Sequence, residues 1–172
     1  SNQVPDVFIS WGGSSLIDYV KSNHVADITK YMDIDNYKDK FVDAGIKQST
    51  YDNKIYAVPV ENISIAGFYY NKDVFQKYGI QEPKTISELE AACDKLKANG
   101  VTPFALANAT KWTGSMYYMY LATRFGGLDP FTNAVAGKSS FDNPAFEFAG
   151  NKIQDWVKKG YFNSGFNGMD DD

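Results

Sequence analysis

Residues 55–79, IYAVPVENISIAGFYYNKDVFQKYG, contain the features that decide the fold of this chain. They begin with an apolar, β-rich run at residues 55–60 and continue, after a polar break, with a second run at residues 65–70. Because proline has no N–H group to give to a neighbouring strand, Pro59 places the first run at a sheet edge or at a strand end. The pattern therefore predicts two short strands joined by a polar segment.

The polar break between these runs carries Glu61 and Asn62. A carboxylate and an amide between two buried strands need hydrogen-bond partners, and a ligand is one candidate. After the second run, Asn71 is expected to begin a short amphipathic helix that Gly79 ends. This stretch is thus a candidate binding region as well as a structural landmark.

Composition indicates an ordinary globular protein. The chain has 172 residues, of which 44% are hydrophobic and 22% charged, so it can bury one good core or two small ones. Its net charge of -4, without a cluster of lysine and arginine, argues against a nucleic-acid partner. No apolar run approaches the roughly 20 residues that a membrane-spanning helix needs.

Residues that could carry redox, metal or catalytic chemistry are few. Cys93 is the single cysteine, which excludes an internal disulfide, and its apolar helical neighbours predict a buried, inert thiol. His24 is the single histidine, so a zinc site or a histidine-dependent triad is poorly supported. Asp170, Asp171 and Asp172 lack the alternating spacing of a calcium loop and indicate a solvated tail. No metal or cofactor is predicted.

The first candidate binding segment is a strand, a glycine turn and a helix start. Residues 4–10 (VPDVFIS) form an apolar run typical of a strand covered on both faces. Trp11 and Gly12 follow, and Ser14 or Ser15 is expected to cap the next helix. Backbone N–H groups at such a turn face a ligand at the sheet edge. The phosphate-loop and dinucleotide fingerprints are absent, which argues against a nucleotide.

The second candidate segment repeats this arrangement. Thr85 and Glu88 form a capping box at the start of a helix, which is followed by an expected strand at residues 101–107 (VTPFALA). A polar loop at residues 108–113 then leads into another helix and carries Trp112. The order of helix and strand is typical of an α/β domain with a partly parallel sheet. Each tryptophan could either pack within its domain or stack on a ligand.

Three further features complete the predicted fold. Residues 48–60 are expected to form a hairpin with its turn at residues 52–54, and residues 24–45 to form short, broken helices. Pro144 suits the first turn of the last long helix, whose apolar face includes Trp156. Trp156 is therefore expected in the core.

Several motifs in a fixed order resemble one protein family. Y-A-V-P at residues 56–59 is followed by G-F-Y-Y-N-K-D-V-F-Q-K-Y-G-I at residues 67–80 and by P-K-T-I-S-E-L at residues 83–89. This order resembles the extracellular solute-binding proteins of ABC importers, and within them the large group that captures sugars and oligosaccharides. The likeness extends over nearly the whole chain.

The resemblance implies an α/β fold with two lobes, the periplasmic-binding-protein-like type II fold, incomplete at both ends. It assigns residues 1–64 to the N-terminal lobe and residues 65–172 to the C-terminal lobe, with a hinge crossing near residues 61–70. The chain is accordingly expected to be a fragment that lacks an opening portion and a long C-terminal portion of both lobes.

The resemblance also implies a function and a site. The expected function is non-catalytic binding of a sugar or oligosaccharide between the lobes, for import by an ABC transporter. Two tryptophans would stack on sugar rings, and polar groups would hydrogen-bond the hydroxyls. The candidate ligand-binding residues are Trp11, Gly12, Glu61, Asn62, Asn108, Trp112 and Thr113.

Partners and location follow from the same resemblance. The expected partners are a carbohydrate ligand and the permease subunits of the importer, and the full-length protein is expected to be a monomer. The expected location is extracytoplasmic, as a periplasmic protein or a cell-surface lipoprotein of a bacterium. Any lipid anchor would lie outside this chain.

Two alternatives remain open. One is a glycoside hydrolase, with Glu61 and one of the acids at residues 170–172 as its carboxylate pair, roughly 5–9.5 Å apart. No segment supplies a second acid in a setting comparable to that of Glu61. The other alternative keeps the fold but binds a peptide, a polyamine or an anion. The scarcity of arginine, with only Arg124, argues against an anion.

Overall fold

The computed structural model describes residues 5–60 and 67–171. The chain divides into two compact units, a first unit, Ser1–Ile65, and a second unit, Ala66–Asp172. Glu61 and Asn62 lie outside the described residues, as does most of the predicted hinge crossing. The assignment of residues 1–64 and 65–172 to two lobes therefore stays a prediction.

The described part of the first unit is built from short elements. In chain order they are α1 (Ser14–Lys21), α2 (Thr29–Met32), a 3-10 helix (Ile34–Lys40), α3 (Asp43–Gln48), β1 (Thr50–Tyr51) and β2 (Lys54–Ile55). The predicted break among the short helices is confirmed, because Asp35 and Asn36 adopt positive φ angles of 51° and 54° inside the 3-10 segment. Among the described residues of this unit, the buried apolar side chains are those of Leu16, Met32 and Ile55.

The predicted hairpin is confirmed but is shorter than expected. β1 and β2 are antiparallel, with Thr50 opposite Ile55. Asp52 and Asn53 form the turn with φ angles of 50° and 60°, and two left-handed turn residues match the twist of a tight hairpin. The second strand ends at Ile55 instead of residue 60.

The strand predicted at the start of the chain is wrong for residues 5–10, which form no strand. Val7 and Ile9 are 87% and 88% exposed, whereas a strand covered on both faces would bury them. A strand needs hydrogen-bonded neighbours beside it. The described residues of the first unit place no strand next to this segment.

The described part of the second unit is mainly helical. Its elements are α4 (Lys72–Lys77), α5 (Ile86–Ala98), α6 (Trp112–Gly126), α7 (Asp129–Val135), α8 (Pro144–Lys158) and a 3-10 helix (Phe166–Gly168). Sequence reasoning predicted only a turn around residues 126–130, so α7 is an addition to the expected fold.

Side-chain caps define three of these helices. Asn71, Thr85 and Asn143 each accept a hydrogen bond from a backbone N–H two or three residues later, at distances of 3.1, 3.1 and 2.9 Å. Such bonds satisfy N–H groups that have no partner inside the helix. The predicted capping box is also confirmed in part, because the Glu88 carboxylate turns back to accept from the backbone N–H of Lys84 at 2.7 Å.

The two strands expected in the second unit are reduced or absent. Residues 101–107 contribute a single parallel bridge, between Phe104 and Phe162, in which the Phe104 N–H donates to the Tyr161 carbonyl at 2.9 Å. Residues 67–70, the described part of the run at residues 65–70, form no strand. Both predictions of a full strand are wrong here, since β-rich composition does not supply the pairing that a strand needs.

Helices α5, α6 and α8 surround the core of the second unit. Trp156 on α8 is 0% exposed and contacts Phe104 with a ring-centroid separation of 4.9 Å. Its indole N–H donates to the Glu90 carboxylate on α5 at 2.8 Å. Burial of Trp156 confirms the prediction from the helical spacing of apolar residues along α8.

The Cys93 thiol is expected to be unreactive in the folded protein. It is 2% exposed in this core, and burial raises its pKa to about 12. Thiol reagents attack the thiolate, which is scarce far below the pKa. At pH 8 a chromogenic disulfide reagent should therefore label less than a tenth of the protein within minutes, and one equivalent in denaturant. Rapid labelling without denaturant would contradict the buried position.

Candidate functional site

The segment that leads into α6 and forms its first turn contains three of the predicted ligand-binding residues. This tryptophan loop, residues 108–113, carries Asn108, Trp112 and Thr113. It connects the Phe104 bridge to the first turn of α6. The expected placement of these residues beside a helix start is confirmed, although the preceding segment is not a full strand.

Trp112 presents a large ring at the surface of the second unit. It is the first residue of α6, and its side chain is 54% exposed. The residue before it, Lys111, has a left-handed backbone with φ 67° and ψ -19°. Left-handed backbone is uncommon for a residue other than glycine and is often found at functional sites. An exposed indole on such a turn can stack on an apolar ring face.

The Asn108 side chain holds the tryptophan loop together. Its Oδ1 accepts from the backbone N–H of Gly114 at 3.0 Å, and its Nδ2 donates to Oδ1 of Asn167 at 2.8 Å. A Cβ at Gly114 would clash with the Asn108 side-chain oxygen, so any other residue there would displace the Asn108 amide from this position. Asn108 therefore uses two of its hydrogen-bonding positions, and its second amide hydrogen has no partner among the described residues.

Thr113 is also engaged within the loop. The side chain is half-buried, and its hydroxyl donates to the backbone carbonyl of Ala107. The hydroxyl oxygen retains acceptor capacity, so a ligand donor could still reach it. Asn108 and Thr113 thus shape the loop through hydrogen bonds to nearby protein groups.

A cavity of about 480 Å³ opens beside this loop in the second unit. Its wall is mainly apolar and aromatic, with a few polar groups. The lining residues are Leu106, Asn108, Lys111, Gly114, Ser115, Tyr117, Tyr118, Ile153, Val157, Phe162, Phe166 and Asn167. Asn108 is the predicted site residue among them. An apolar wall with a few polar groups is typical of small-molecule sites.

The other predicted segment lies in the first unit. Trp11 is 82% exposed. A Cβ at Gly12 would lie 2.8 Å from the Gln48 carbonyl oxygen, and the Gly13 N–H donates to that same oxygen at 3.0 Å. The glycines thus let the turn pack against α3. This packing explains locally why a glycine occupies position 12. The role of Trp11 and Gly12 in ligand binding stays a prediction.

Sequence reasoning missed the residues that support the tryptophan loop. Thr110 donates through its hydroxyl to the Asp171 carboxylate at 2.8 Å, and Asn167 pairs with Asn108. The hydrogen bond from Thr110 is the main cause that lowers the pKa of Asp171, and the Trp112 side chain also contributes. Asn167 and Asp171 lie far along the chain from the loop, and no motif marks them.

Comparison with known proteins identifies the family. A family model described as bacterial extracellular solute-binding protein matches residues 1–171. The chain belongs to this family. Its relatives include an uncharacterized ABC transporter extracellular-binding protein of Pyrococcus horikoshii, which is 32% identical over 145 residues, or 83% of this chain and 33% of the relative. The resemblance inferred from the ordered motifs is therefore confirmed.

Solved structures of this family share the fold. One comes from work on xylan utilization by the thermophilic bacterium Caldanaerobius polysaccharolyticus, with 37% identity and a TM-score of 0.83 over 94% of this chain and 41% of that one. A chitin oligosaccharide binding protein has 28% identity and a TM-score of 0.81 over 94% of this chain and 40% of that one. The predicted fold class, the type II α/β fold of two-lobed solute-binding proteins, is confirmed.

The chain spans between 33% and 41% of the length of the relatives and structures described above. The family's members are extracellular binding proteins by description. Within residues 5–60 and 67–171, every helix is too short or too polar to cross a bilayer.

Proposed function

We propose that this protein is the extracytoplasmic substrate-binding component of an ABC importer and that it binds a sugar or oligosaccharide. The observation that carries the proposal is the 54% exposed indole of Trp112, on a polar loop beside a 480 Å³ cavity, in a chain of the solute-binding family. Pyranose rings have an apolar face bordered by hydroxyl groups, so they suit an exposed indole next to amide and hydroxyl groups.

The names of the similar proteins support the same ligand class. One structure comes from work on xylan utilization and another is a chitin oligosaccharide binding protein. Xylan and chitin are both built mainly from neutral sugars. The proposed ligand is accordingly a neutral oligosaccharide.

The proposed ligand-binding residues offer stacking faces and hydrogen-bonding groups. Trp11 and Trp112 supply stacking faces, while Glu61 and Asn62 hydrogen-bond ligand hydroxyls. Asn108 and Thr113 contribute the amide hydrogen and the hydroxyl oxygen that their loop bonds leave available. Gly12 keeps the turn after Trp11 close to α3. We assign residues 1–64 to the N-terminal lobe and residues 65–172 to the C-terminal lobe.

The proposed mechanism is binding without catalysis. Family members are binding proteins by description, which favours non-catalytic binding over the activity of a glycoside hydrolase that uses Glu61. Hinge closure of two lobes over a ligand, as in periplasmic binding proteins, shifts an open–closed equilibrium, since the closed state gains contacts only when the ligand is present. The closed state would then engage the permease subunits of the importer, with the protein acting as a monomer in the periplasm or as a lipoprotein at the cell surface.

Saccharide titration of the full-length protein tests the proposal. Intrinsic tryptophan fluorescence should change on addition of xylo-oligosaccharides or chitin oligosaccharides, with saturation. Trp112→Ala should weaken binding about fivefold or more, because removal of a stacking ring at a binding site costs more than about 1 kcal/mol.

Phe125→Ala is the matched control for this titration. Phe125 is an equally exposed ring, at 55%, near the opposite end of α6. Its removal should leave the dissociation constant unchanged. A flat response of the wild-type protein across a broad panel of glycans would overturn the proposed function.

A further inference from the structure

A tail segment, residues 161–171, runs beside the tryptophan loop and the residues before it. The backbone N–H groups of Phe104, Asn108 and Ala109 donate to carbonyl oxygens of the tail segment at 2.9, 2.7 and 3.0 Å. These bonds join positions nearly 60 residues apart in the sequence. The conformation of the tryptophan loop is therefore set from outside the loop.

Side chains of the tail segment add three more bonds. Asn163 accepts from the Leu106 N–H at 2.8 Å, and Asn167 accepts from the Asn108 amide at 2.8 Å. Asp171 accepts from the Thr110 hydroxyl at 2.8 Å. Among the three loop-side partners, Thr110, which bonds to Asp171, lies nearest to Trp112 along the chain.

The backbone between Thr110 and Trp112 needs such support. Lys111 adopts φ 67°, a left-handed conformation that is unfavourable for a residue other than glycine. A segment that contains this conformation reverts to other conformations unless its neighbours hold it. The Thr110–Asp171 bond immediately precedes the strained residue, and hydrogen bonds to a charged acceptor are stronger than neutral ones.

We propose that Asp171 is a positioning residue for Trp112. By accepting from the Thr110 hydroxyl, its carboxylate fixes the turn at Lys111 and thereby the direction in which the indole leaves the surface. A ring held in one orientation before binding loses less conformational entropy when a ligand stacks on it. This role rests on the proposed function only in what Trp112 binds, and the orientation of the ring can be measured without ligand.

Fluorine NMR of the full-length protein, labelled with 5-fluorotryptophan, tests this inference without any saccharide. Trp112→Phe assigns the Trp112 resonance. Asp171→Ala and Thr110→Val should each shift or broaden that resonance. Thr110→Ser, which keeps the hydroxyl, should leave the resonance at its wild-type position. The resonance of Trp156, which is 0% exposed, should stay unchanged and so report an intact core.

Asp170→Asn is the charge-matched control. It removes one negative charge next to Asp171, while its amide oxygen can still accept from the Asp171 N–H, a bond of 2.9 Å. The Trp112 resonance should therefore keep its wild-type position. In parallel, Asp171→Ala should raise the dissociation constant for a xylo-oligosaccharide about five- to tenfold through lost preorganisation.

The outcomes separate the two proposals. An unchanged Trp112 resonance in both Asp171→Ala and Thr110→Val overturns the positioning role, as does an equal change at Trp156. A wild-type protein that binds no saccharide contradicts the proposed function, while a shifted Trp112 resonance in the variants would still support the role of Asp171.

Discussion

Replacement of Trp156 by alanine should destabilise the second unit by about 3–5 kcal/mol, the usual range for removal of a fully buried tryptophan. The side chain is 0% exposed, contacts Phe104, and donates its indole N–H to Glu90 at 2.8 Å. Alanine would leave a cavity between α5 and α8 and would remove one donor from a partly buried carboxylate. The loss is close to the lower end of the stability of ordinary domains, about 5–15 kcal/mol.

Urea unfolding followed by far-UV circular dichroism and by labelling of Cys93 measures this effect. Cys93 lies in the same buried cluster, so its labelling reports the second unit specifically. Trp11→Ala is the matched control, because it removes the same side chain from a position that is 82% exposed and should change stability by less than about 0.5 kcal/mol. Equal effects of the two substitutions would contradict the assignment of Trp156 to the core.

The second large effect concerns the carboxylate that joins α5 to α8. Glu90 accepts from Lys152 and from the Trp156 indole, both at 2.8 Å, and its side chain is 19% exposed. Burial by itself would raise the pKa of Glu90, but the hydrogen bonds from Lys152 and Trp156 outweigh it and hold the pKa below the ordinary value of 4.5. The ionised carboxylate is therefore the form that the folded state favours.

The sign of the pH dependence follows from this lowered pKa. The folded state binds its proton less tightly than the unfolded state, so the stabilisation is fully present above about pH 4.5 and is lost as the pH falls through the folded pKa. Glu90→Gln should lower the free energy of unfolding at pH 7 by about 1–3 kcal/mol. It should also flatten the dependence of stability on pH below 4.5.

Urea midpoints between pH 3 and pH 7 measure both effects. Glu147→Gln, on the exposed side of α8, is the control and should retain the wild-type pH profile. If Glu90→Gln keeps the full acid sensitivity of the wild type, the link between α5 and α8 contributes nothing to it.

Local chemistry made part of the fold predictable. Asn71, Thr85 and Asn143 cap their helices because a short polar side chain can reach an N–H group two or three residues later without help from the rest of the protein. The hairpin turn at Asp52 and Asn53 likewise depends on residues that tolerate left-handed backbone. Such interactions lie within a few residues, so a single sequence displays them.

The strands were less predictable for the opposite reason. Residues 5–10 and 101–107 have the composition of buried strands, yet the former remain exposed coil and the latter pair only at Phe104. A strand forms only where another segment offers its backbone groups, and sequence composition does not state which segment that is.

For the candidate site, the sequence by itself determined the family, the polar loop that carries a tryptophan and the helix that begins there, whereas the 54% exposure of Trp112 came from the structure. Only the tertiary structure decided how that loop is held: Asn167 pairs with Asn108, and Asp171 pairs with Thr110, across 59 and 61 residues. Contacts at such separations arise when packed helices bring distant segments together, and no local spacing in the sequence records them.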